Sequence, residues 1–397
     1  MQFVKSLVVA RFLGPEVFGT LKSLEMVQML DKYGNLGFNA TARREIGFAK
    51  GKGDYEYERI IRNNTYSAEI LLSLLLFIIG LLVSLFLGDR YYSTLLALVT
   101  VSLFFSKICN ILSTEALIQK NFILISKSRV ISTLCSITFI LIFIYWLKLY
   151  GVILGNALLG LVGIVYFYKK LSFYYNFSID IEQFKKIIKI SIPLTFNTLS
   201  LGTFKYSERI LILSLLGSKY LGFFAFASMV TSSFLTLIKT FITVRVQDLF
   251  EYLGSKKYQK THNIVFHETL IMVIASLIVI PLIFLATNYF LPLILPEWNE
   301  SKDYINFYSL ILIVEIIPIH ATNILNSTLV DKVNLVAGCR ILSTILLCIA
   351  SYIVFLYEQL NLINFILINI FACAIYAILI LIFYRKHFHL KYIVQSR

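Results

Sequence analysis

Charged side chains interrupt residues 187–213, a long apolar run of this chain, and are spaced as on one side of a helix. Lys205 lies a few residues past the middle of the run, too deep to reach water easily, and Arg209 lies nearer the outer surface. Charges within a bilayer are costly, so a functional role is the first hypothesis. Arginine binds phosphate oxygens through two N–H groups and lysine binds them as a point charge, so both suit an anionic ligand. The alternative is a local ion pair of Lys205 with Glu208. The stripe contains Asn197, Thr198, Leu201, Gly202, Lys205, Glu208 and Arg209.

Acidic side chains within apolar runs predict a second chemistry, the binding of a cation. Glu315 lies near the middle of its run, and Glu25 and Asp31 share a helical face in another. These carboxylates and Glu208 are candidates for binding a coupling proton or sodium ion, or for acting as counter-charges to the cations. The simpler alternative is that each acid pairs with a basic neighbour. His320 lies on a different helical face from Glu315 and is not predicted to pair with it.

No catalytic pattern is present in the sequence. There is no P-loop, no G-x-S-x-G or H-E-x-x-H motif, and no cluster of metal ligands. The five cysteines are odd in number and form no C-x-x-C pair, so neither a disulfide framework nor a zinc site is indicated. We therefore predict a protein that is not an enzyme, without catalytic residues, metal or cofactor apart from a coupling ion.

The elements that must position these residues are transmembrane helices. Of the 397 residues, 58% are hydrophobic and 15% are charged, and the mean hydropathy is +0.80. Soluble domains carry about 25% charged residues, and a chain of this length cannot bury so much apolar surface. The apolar runs are continuous, whereas barrel strands alternate. The predicted spans are 17–37, 66–88, 91–113, 129–149, 151–168, 187–213, 220–243, 264–287, 304–327, 334–356 and 361–384. With an apolar stub at residues 1–10, they predict an all-α polytopic membrane protein of about eleven full spans.

The net charge of +14 has a topological explanation. Basic residues concentrate in every second connection between spans, and such connections stay in the cytoplasm. The pattern predicts a cytoplasmic C-terminus and no nucleic-acid partner. Arg43 and Arg44 are expected to set orientation, with guidance of a substrate at the cytoplasmic mouth as the alternative. Glu69, Lys107 and Lys239 lie near cytoplasmic ends and are expected to extend to the surface. Two of the later basic groups are Arg245 with Lys256, Lys257 and Lys260, and Lys332 with Arg340.

Comparison of the chain with itself finds a repeat at an offset of 203 residues. Gly14 corresponds to Gly217, since 217 − 14 = 203, and Tyr55 corresponds to Tyr258 at the same offset. The offset contains six helices, an even number, so both halves enter the membrane in the same direction, as in transporters built from parallel repeats. The alternative is that the glycines mark only short turns.

The repeat also predicts the limits of two bundles. We expect an N-terminal helix bundle at residues 1–185 and a C-terminal bundle at residues 186–397. The second half begins its first span near Ile187, and 187 − 203 = −16. The first span is therefore expected to start before Met1, and the stub is expected to be the outer end of a truncated helix.

Several short segments carry a family resemblance. They are RFLGPEVFG at residues 11–19, NLGF at 35–38, ARREI at 42–46, ISIPL at 190–194, the turn at 216–222 and the acidic turn at 296–300. Together they resemble the polysaccharide (O-antigen type) flippases of the MATE-like multidrug/oligosaccharidyl-lipid/polysaccharide exporter superfamily. The resemblance covers nearly the whole chain. It implies a MATE-like fold of two pseudo-symmetric six-helix bundles with a cavity between them.

The resemblance also implies a function. Such proteins translocate an undecaprenyl-pyrophosphate-linked oligosaccharide across the bacterial cytoplasmic (inner) membrane for O-antigen or capsule synthesis. The implied partners are the lipid-linked oligosaccharide, the lipid bilayer, and the polymerase and chain-length proteins. A cationic cavity would contain Lys205, Arg209, Asn197, Arg43 and Arg44. Two alternatives stay open: a MATE-type drug/cation antiporter, favoured by the deep acids, and a membrane polymerase of the same pathway, which normally carries a long loop that is not found here.

Overall fold

A computed structural model describes residues 2–33, 36–39, 41–42, 45–46, 49, 53–172, 175–178, 180–254, 257–326 and 332–388, with some side chains inside helices excepted. This part of the chain is helical and contains no strand. Its α-helices are α1 Gln2–Tyr33, α2 Tyr55–Phe86, α3 Arg90–Ile118, α4 Phe122–Lys170, α5 Ile181–Leu215, α6 Ser218–Gly254, α7 Tyr258–Tyr289, α8 Leu291–Ile294, α9 Lys302–Ser309, α10 Ile311–Ile316, α11 Ile319–Leu325, α12 Val333–Leu356 and α13 Leu362–Tyr384. A 3₁₀ helix, Pro296–Ser301, precedes α9.

The repeat extends to turns and helix boundaries. Gly14, which interrupts α1, has a φ of 68°, and Gly217, between α5 and α6, has a φ of 96°. Glycine adopts such angles without the steric penalty that a Cβ brings. Helices α2 and α7 are both 32 residues long. They begin 258 − 55 = 203 and end 289 − 86 = 203 residues apart.

The next helix differs between the halves. Helix α3 runs unbroken for 29 residues. The region 203 residues later is divided into the 3₁₀ helix and helices α9, α10 and α11. Pro296 begins the 3₁₀ helix and Pro318 precedes α11. Proline has no backbone N–H to donate, which explains why the helix is interrupted at these points.

Eight helical segments of the described residues are long and apolar enough to cross a membrane. One of them, α4, is 49 residues long and contains the non-helical residue Lys148, with φ 43° and ψ −118°. This residue lies at the end of the predicted span 129–149, shortly before the predicted span 151–168 begins. Large apolar side chains remain exposed on these segments, for example Phe86 at 87%. Spans 17–37 and 187–213 both include side chains outside the described set and are not among the eight.

The chain forms two compact units. The first unit is Met1–Leu13 with Leu24–Leu199, and the second unit is Gly14–Ser23 with Ser200–Arg397. The boundary predicted between residues 185 and 186 stays a prediction.

A close helix crossing lies in the second unit. A Cβ on Gly19 would overlap the carbonyl oxygen of Ser218, and a Cβ on Gly222 would overlap that of Pro15. Adding 203 to 15 and 19 gives 218 and 222, so the two contacts are copies of each other. They are the reciprocal contacts expected of an internal two-fold relation.

Candidate functional site

One of the charged side chains of α5, the carboxylate of Glu208, is buried in the second unit. Glu208 is only 6% exposed, and its Oε1 accepts a hydrogen bond of 2.8 Å from Nδ2 of Asn369 on α13. Lys205 is exposed and Arg209 is half-buried. Within the described residues Glu208 forms no ion pair with Lys205, although the two charges interact at longer range. The local ion pair considered as an alternative is therefore not formed.

Glu315 joins this group from α10. The carboxylate of Glu208 interacts electrostatically with Glu315 as well as with Lys205 and Arg209. The buried Tyr308, on α9, interacts with both acids. Glu315, which the sequence analysis selected in a different run, thus interacts with the stripe of α5 that contains Lys205, Glu208 and Arg209.

Arg340 belongs to the same group and was missed as a site residue. It lies in α12, within the predicted span 334–356, although the sequence analysis also counted it among the basic residues of a connection. Its Cζ lies 3.7 Å from the ring centroid of Tyr376 and 5.7 Å from that of Phe204. Its charge acts on Cys373 together with the charges of the cluster. The position of Arg340 inside the predicted span 334–356 is the signal that could have identified it.

We call the five residues Lys205, Glu208, Arg209, Glu315 and Arg340 the second-unit charge cluster. Three are cationic and two are acidic, so the cluster carries a formal excess of one positive charge when all are ionised. Such a group in a membrane-spanning unit can bind an anion through its cations and a proton or metal cation through its acids.

A lysine of the first unit occupies a comparable position. Lys5 Nζ donates to Oδ1 of Asn156 at 2.6 Å and to Oγ of Ser136 at 3.1 Å. Its counterpart at the offset of 203 is Glu208, since 5 + 203 = 208. The sequence analysis did not select Lys5, because it lies in the stub; adding the repeat offset to its number could have found it.

A histidine of α11 approaches an acid of α7 in the second unit. Nε2 of His320 lies 3.3 Å from Oε2 of Glu268, and the His320 side chain is 1% exposed. The acid that His320 approaches is therefore Glu268 and not Glu315, although neither ring nitrogen of His320 forms a hydrogen bond within the described residues.

Polar residues at one end of the first unit form a network. Arg62 on α2 bonds Glu58 Oε1 at 2.6 Å and Glu115 Oε2, on α3, at 3.2 Å. The hydroxyl of Tyr66 donates to Glu115 Oε2 at 2.9 Å, and Gln119 donates to its Oε1 at 2.9 Å. Glu115 is therefore held by three side chains.

The chain leading into α5 is held by the same helix α2. Asn64 Oδ1 accepts from the backbone N–H of Asp180 at 2.8 Å, and Asn63 Oδ1 accepts from that of Asn176 at 3.2 Å. Tyr175 shares a 2.8 Å hydrogen bond with Ser67. Burial raises the pKa of the Tyr175 hydroxyl, although the bond to Ser67 acts in the opposite direction.

Two residues expected at the surface are buried instead. Glu69 is 2% exposed and accepts a hydrogen bond from Asn39, and Lys107 is 4% exposed. They face the interior of the first unit, so the expected extension to the surface is wrong for both. Glu25 is half-buried. The side chains of Asp31, Arg43, Arg44, Asn197 and Lys239 lie outside the described residues. Among the side chains that are described, no group of three or more His, Cys, Asp or Glu could hold a metal ion.

Comparison with known proteins gives one family and one fold. The model of the family described as "Polysaccharide biosynthesis protein" matches residues 1–246. No curated protein matches the chain.

Solved structures of MATE and related transporters share the fold. An inward-facing multidrug resistance MATE family transporter of the MOP superfamily is 15% identical, with a TM-score of 0.82, covering 98% of this chain and 95% of that one. An outward-facing MATE transporter is 16% identical, with a TM-score of 0.63 and coverages of 98% and 92%. A MOP superfamily transporter from Pyrococcus furiosus Vc1 (DSM3638), whose binding pocket has reverse polarity suggesting a different function, is 16% identical, with a TM-score of 0.61 and coverages of 98% and 91%. The chain therefore has the all-α MATE-like fold.

Proposed function

Because this chain belongs to the family of polysaccharide biosynthesis proteins, we propose that it translocates a lipid-linked oligosaccharide, carried on undecaprenyl pyrophosphate, across the bacterial cytoplasmic membrane. The product would be used for a surface polysaccharide such as O-antigen or capsule. The observation that carries the proposal is the second-unit charge cluster, which contains Arg340 on the apolar helix α12 and Lys205 and Arg209 in the predicted span 187–213. A pyrophosphate crossing a bilayer needs positive charge along its path, because the apolar interior does not solvate it.

The proposed site has a cationic and an acidic part. Lys205 and Arg209 would bind the pyrophosphate, and Asn197, Arg43 and Arg44 are further candidates for contacts with the substrate. Glu208 and Glu315 would bind a coupling proton or sodium ion, or balance the cations; Glu25 and Asp31 are candidates for the same role. No other cofactor and no catalytic residue is part of the proposal, and the protein would act as a transporter rather than an enzyme.

The proposed setting is the inner membrane, with a multi-pass chain and its C-terminus in the cytoplasm. The polymerase and chain-length proteins that use the translocated units would be its partners. The bilayer itself supplies the lipid carrier.

A strain without this gene tests the proposal. It should accumulate lipid-linked repeat units inside the cell and lose surface polysaccharide, measured by extraction of lipid-linked sugars. Normal surface polysaccharide in a deletion strain without a redundant exporter would refute the proposal.

A double variant then tests the site. Lys205→Ala with Arg209→Ala should reduce complementation of that strain at least tenfold, because the loss of two charge-assisted contacts costs about 1.5–3 kcal/mol each. The matched control is Arg90→Ala with Lys127→Ala, which removes the same two residue types from exposed positions. Equal export by both double variants would remove Lys205 and Arg209 from the pathway.

A drug/cation antiporter is the second candidate function. The buried Glu208, which interacts electrostatically with Glu315, favours it, because acids suit a cationic cargo. Unchanged drug susceptibility of the deletion strain, together with loss of surface polysaccharide, would exclude this candidate.

A further inference from the structure

Arg340 has an unusual environment for a cation inside a membrane protein. Its guanidinium carbon lies 3.7 Å from the ring centroid of Tyr376 and 5.7 Å from that of Phe204. Both rings are buried, and they belong to α13 and α5, the helices on either side of the Glu208–Asn369 hydrogen bond. Aromatic rings stabilise a guanidinium placed over their faces, and the contact is stronger where water is excluded.

The rings hold the charge but accept no conventional hydrogen bond from it. Nε of Arg340 is buried and has no hydrogen-bond partner among the residues that the structure describes. No carboxylate in that part of the chain forms an ion pair with the guanidinium; Glu208 uses its Oε1 on Asn369. A buried donor without an acceptor is costly, and native proteins rarely retain one without a reason.

Arg340 is not completely enclosed. The residue as a whole is half-buried although Nε is covered. A stacked guanidinium keeps its N–H donors in its own plane, in a fork that matches the oxygens of a phosphate. The ligand that would satisfy this geometry is therefore an oxyanion.

We propose that Arg340 is a binding residue for a phosphate group of the transported substrate, with Tyr376 and Phe204 positioning its guanidinium. The assignment rests on the proposed function, because that function supplies a pyrophosphate to the membrane. It also adds a residue of α12 to the cationic site, for which the sequence analysis had named Lys205 and Arg209 on α5.

Binding of farnesyl pyrophosphate to the purified full chain in nanodiscs tests the assignment. Three variants are compared with the wild type: Arg340→Met, Arg340→Lys and the control Arg90→Met, which removes an exposed arginine. Arg340→Met should weaken binding about tenfold or more, since a charge-assisted hydrogen bond contributes about 1.5–3 kcal/mol. Arg340→Lys should recover only part, because it keeps the charge but not the fork. Arg90→Met should bind as the wild type does.

Two further probes identify the source of the phosphate. Farnesol, which lacks phosphate, should not compete. If inorganic pyrophosphate displaces farnesyl pyrophosphate from the wild type but not from Arg340→Met, the site is an oxyanion site open to free phosphate. If inorganic pyrophosphate does not displace it, the site requires a phosphate group that is linked to a lipid. Thermal unfolding of each variant shows whether it is folded. If Arg340→Met does not fold, the affinity of Arg340→Lys for farnesyl pyrophosphate tests the assignment.

The possible failures are distinguishable. Equal affinities of the wild type and Arg340→Met would overturn the assignment of Arg340 and leave the proposed function standing. Absence of binding to every phosphate probe by the wild type, with normal surface polysaccharide in the deletion strain, would overturn both.

Discussion

The two units carry opposite charges at equivalent positions. In the first unit, Lys5 bonds Asn156; in the second, Glu208 bonds Asn369. Lys5 and Glu208 are related by the repeat offset, and the two asparagines end similar sequences, ILGN at 153–156 and ILIN at 366–369. An asparagine amide can accept from an ammonium or donate to a carboxylate. The two units therefore place a charged residue beside an asparagine at equivalent positions, and the charge is positive at Lys5 and negative at Glu208.

A second pair of equivalent regions differs in polarity. Arg62 of the first-unit network corresponds to Val265, since 62 + 203 = 265, and Glu115 corresponds to Pro318. Val265 belongs to an apolar cluster with Ile324, Val336, Tyr376 and others. Replacing a buried ion pair by packed apolar residues is often neutral or stabilising, whereas removing one partner is not. The halves have thus reached two different solutions at one place in the fold.

The largest effect is expected at this network. Arg62→Met removes the cation that bonds Glu58 and Glu115, and breaking a buried pair costs about 3–5 kcal/mol. Thermal unfolding of the purified protein should show the loss. Adding Glu115→Leu should restore part of the lost stability, because this place in the first unit then resembles its apolar counterpart around Val265 in the second. If Arg62→Met unfolded at the same midpoint as the control Arg90→Met, the polar network would not stabilise the first unit and the comparison with its apolar counterpart would fail.

An intermediate effect is expected at the Lys5 and Glu208 positions. Glu208→Leu leaves the buried Asn369 amide without this acceptor, which costs about 1–3 kcal/mol. Glu208→Gln should stay close to the wild type because it keeps a carbonyl oxygen. Lys5→Met should lower stability by a similar amount by removing the donor to Asn156 and Ser136. If Lys5→Met unfolded at the wild-type midpoint while Glu208→Leu did not, the two positions would not be structurally equivalent.

The smallest effect concerns the starts of α2 and α7. Asp54 caps α2 by accepting from the backbone N–H of Tyr57, whereas its counterpart Lys257 makes no side-chain cap. Asp54→Ala should cost about 0.5–2 kcal/mol and Lys257→Asp should stabilise α7 by up to a similar amount. Hydrogen exchange of the first turn of each helix measures both changes. If the first turn of α7 exchanged faster in Lys257→Asp than in the wild type, residues 54 and 257 would not be equivalent capping positions.

Much of the fold was predictable because it depends on local patterns. The hydropathy pattern predicted helices. The positions of Gly14 and Gly217 in the repeat predicted equivalent turns, and both glycines have a positive φ in the structure. The asparagines were not predictable in the same way. They are 369 − 156 = 213 residues apart, so a comparison at a fixed offset of 203 cannot align them.

The candidate site was predicted only in part for a related reason. Lys205, Glu208 and Arg209 share one helix, where spacing in sequence translates directly into spacing in space. Arg340 acquires its role from Tyr376 and Phe204, which lie on other helices. Contacts between helices depend on packing, and nothing in the local sequence around Arg340 encodes them.

The segment Gly14–Ser23 belongs to the second unit although residues 24–199, which belong to the first unit, separate it from the rest of the second. Phe18 packs there against Trp298, with ring centroids 5.4 Å apart. At a synthesis rate of about 5–20 residues per second, the ribosome needs roughly 10–60 s to travel from one residue to the other. During that interval the glycine face and the Phe18 ring must be covered by lipid or by an assisting protein. The region around Trp298 therefore completes the packing of the segment Gly14–Ser23, and a chain that stalls before Trp298 would leave this segment unassembled.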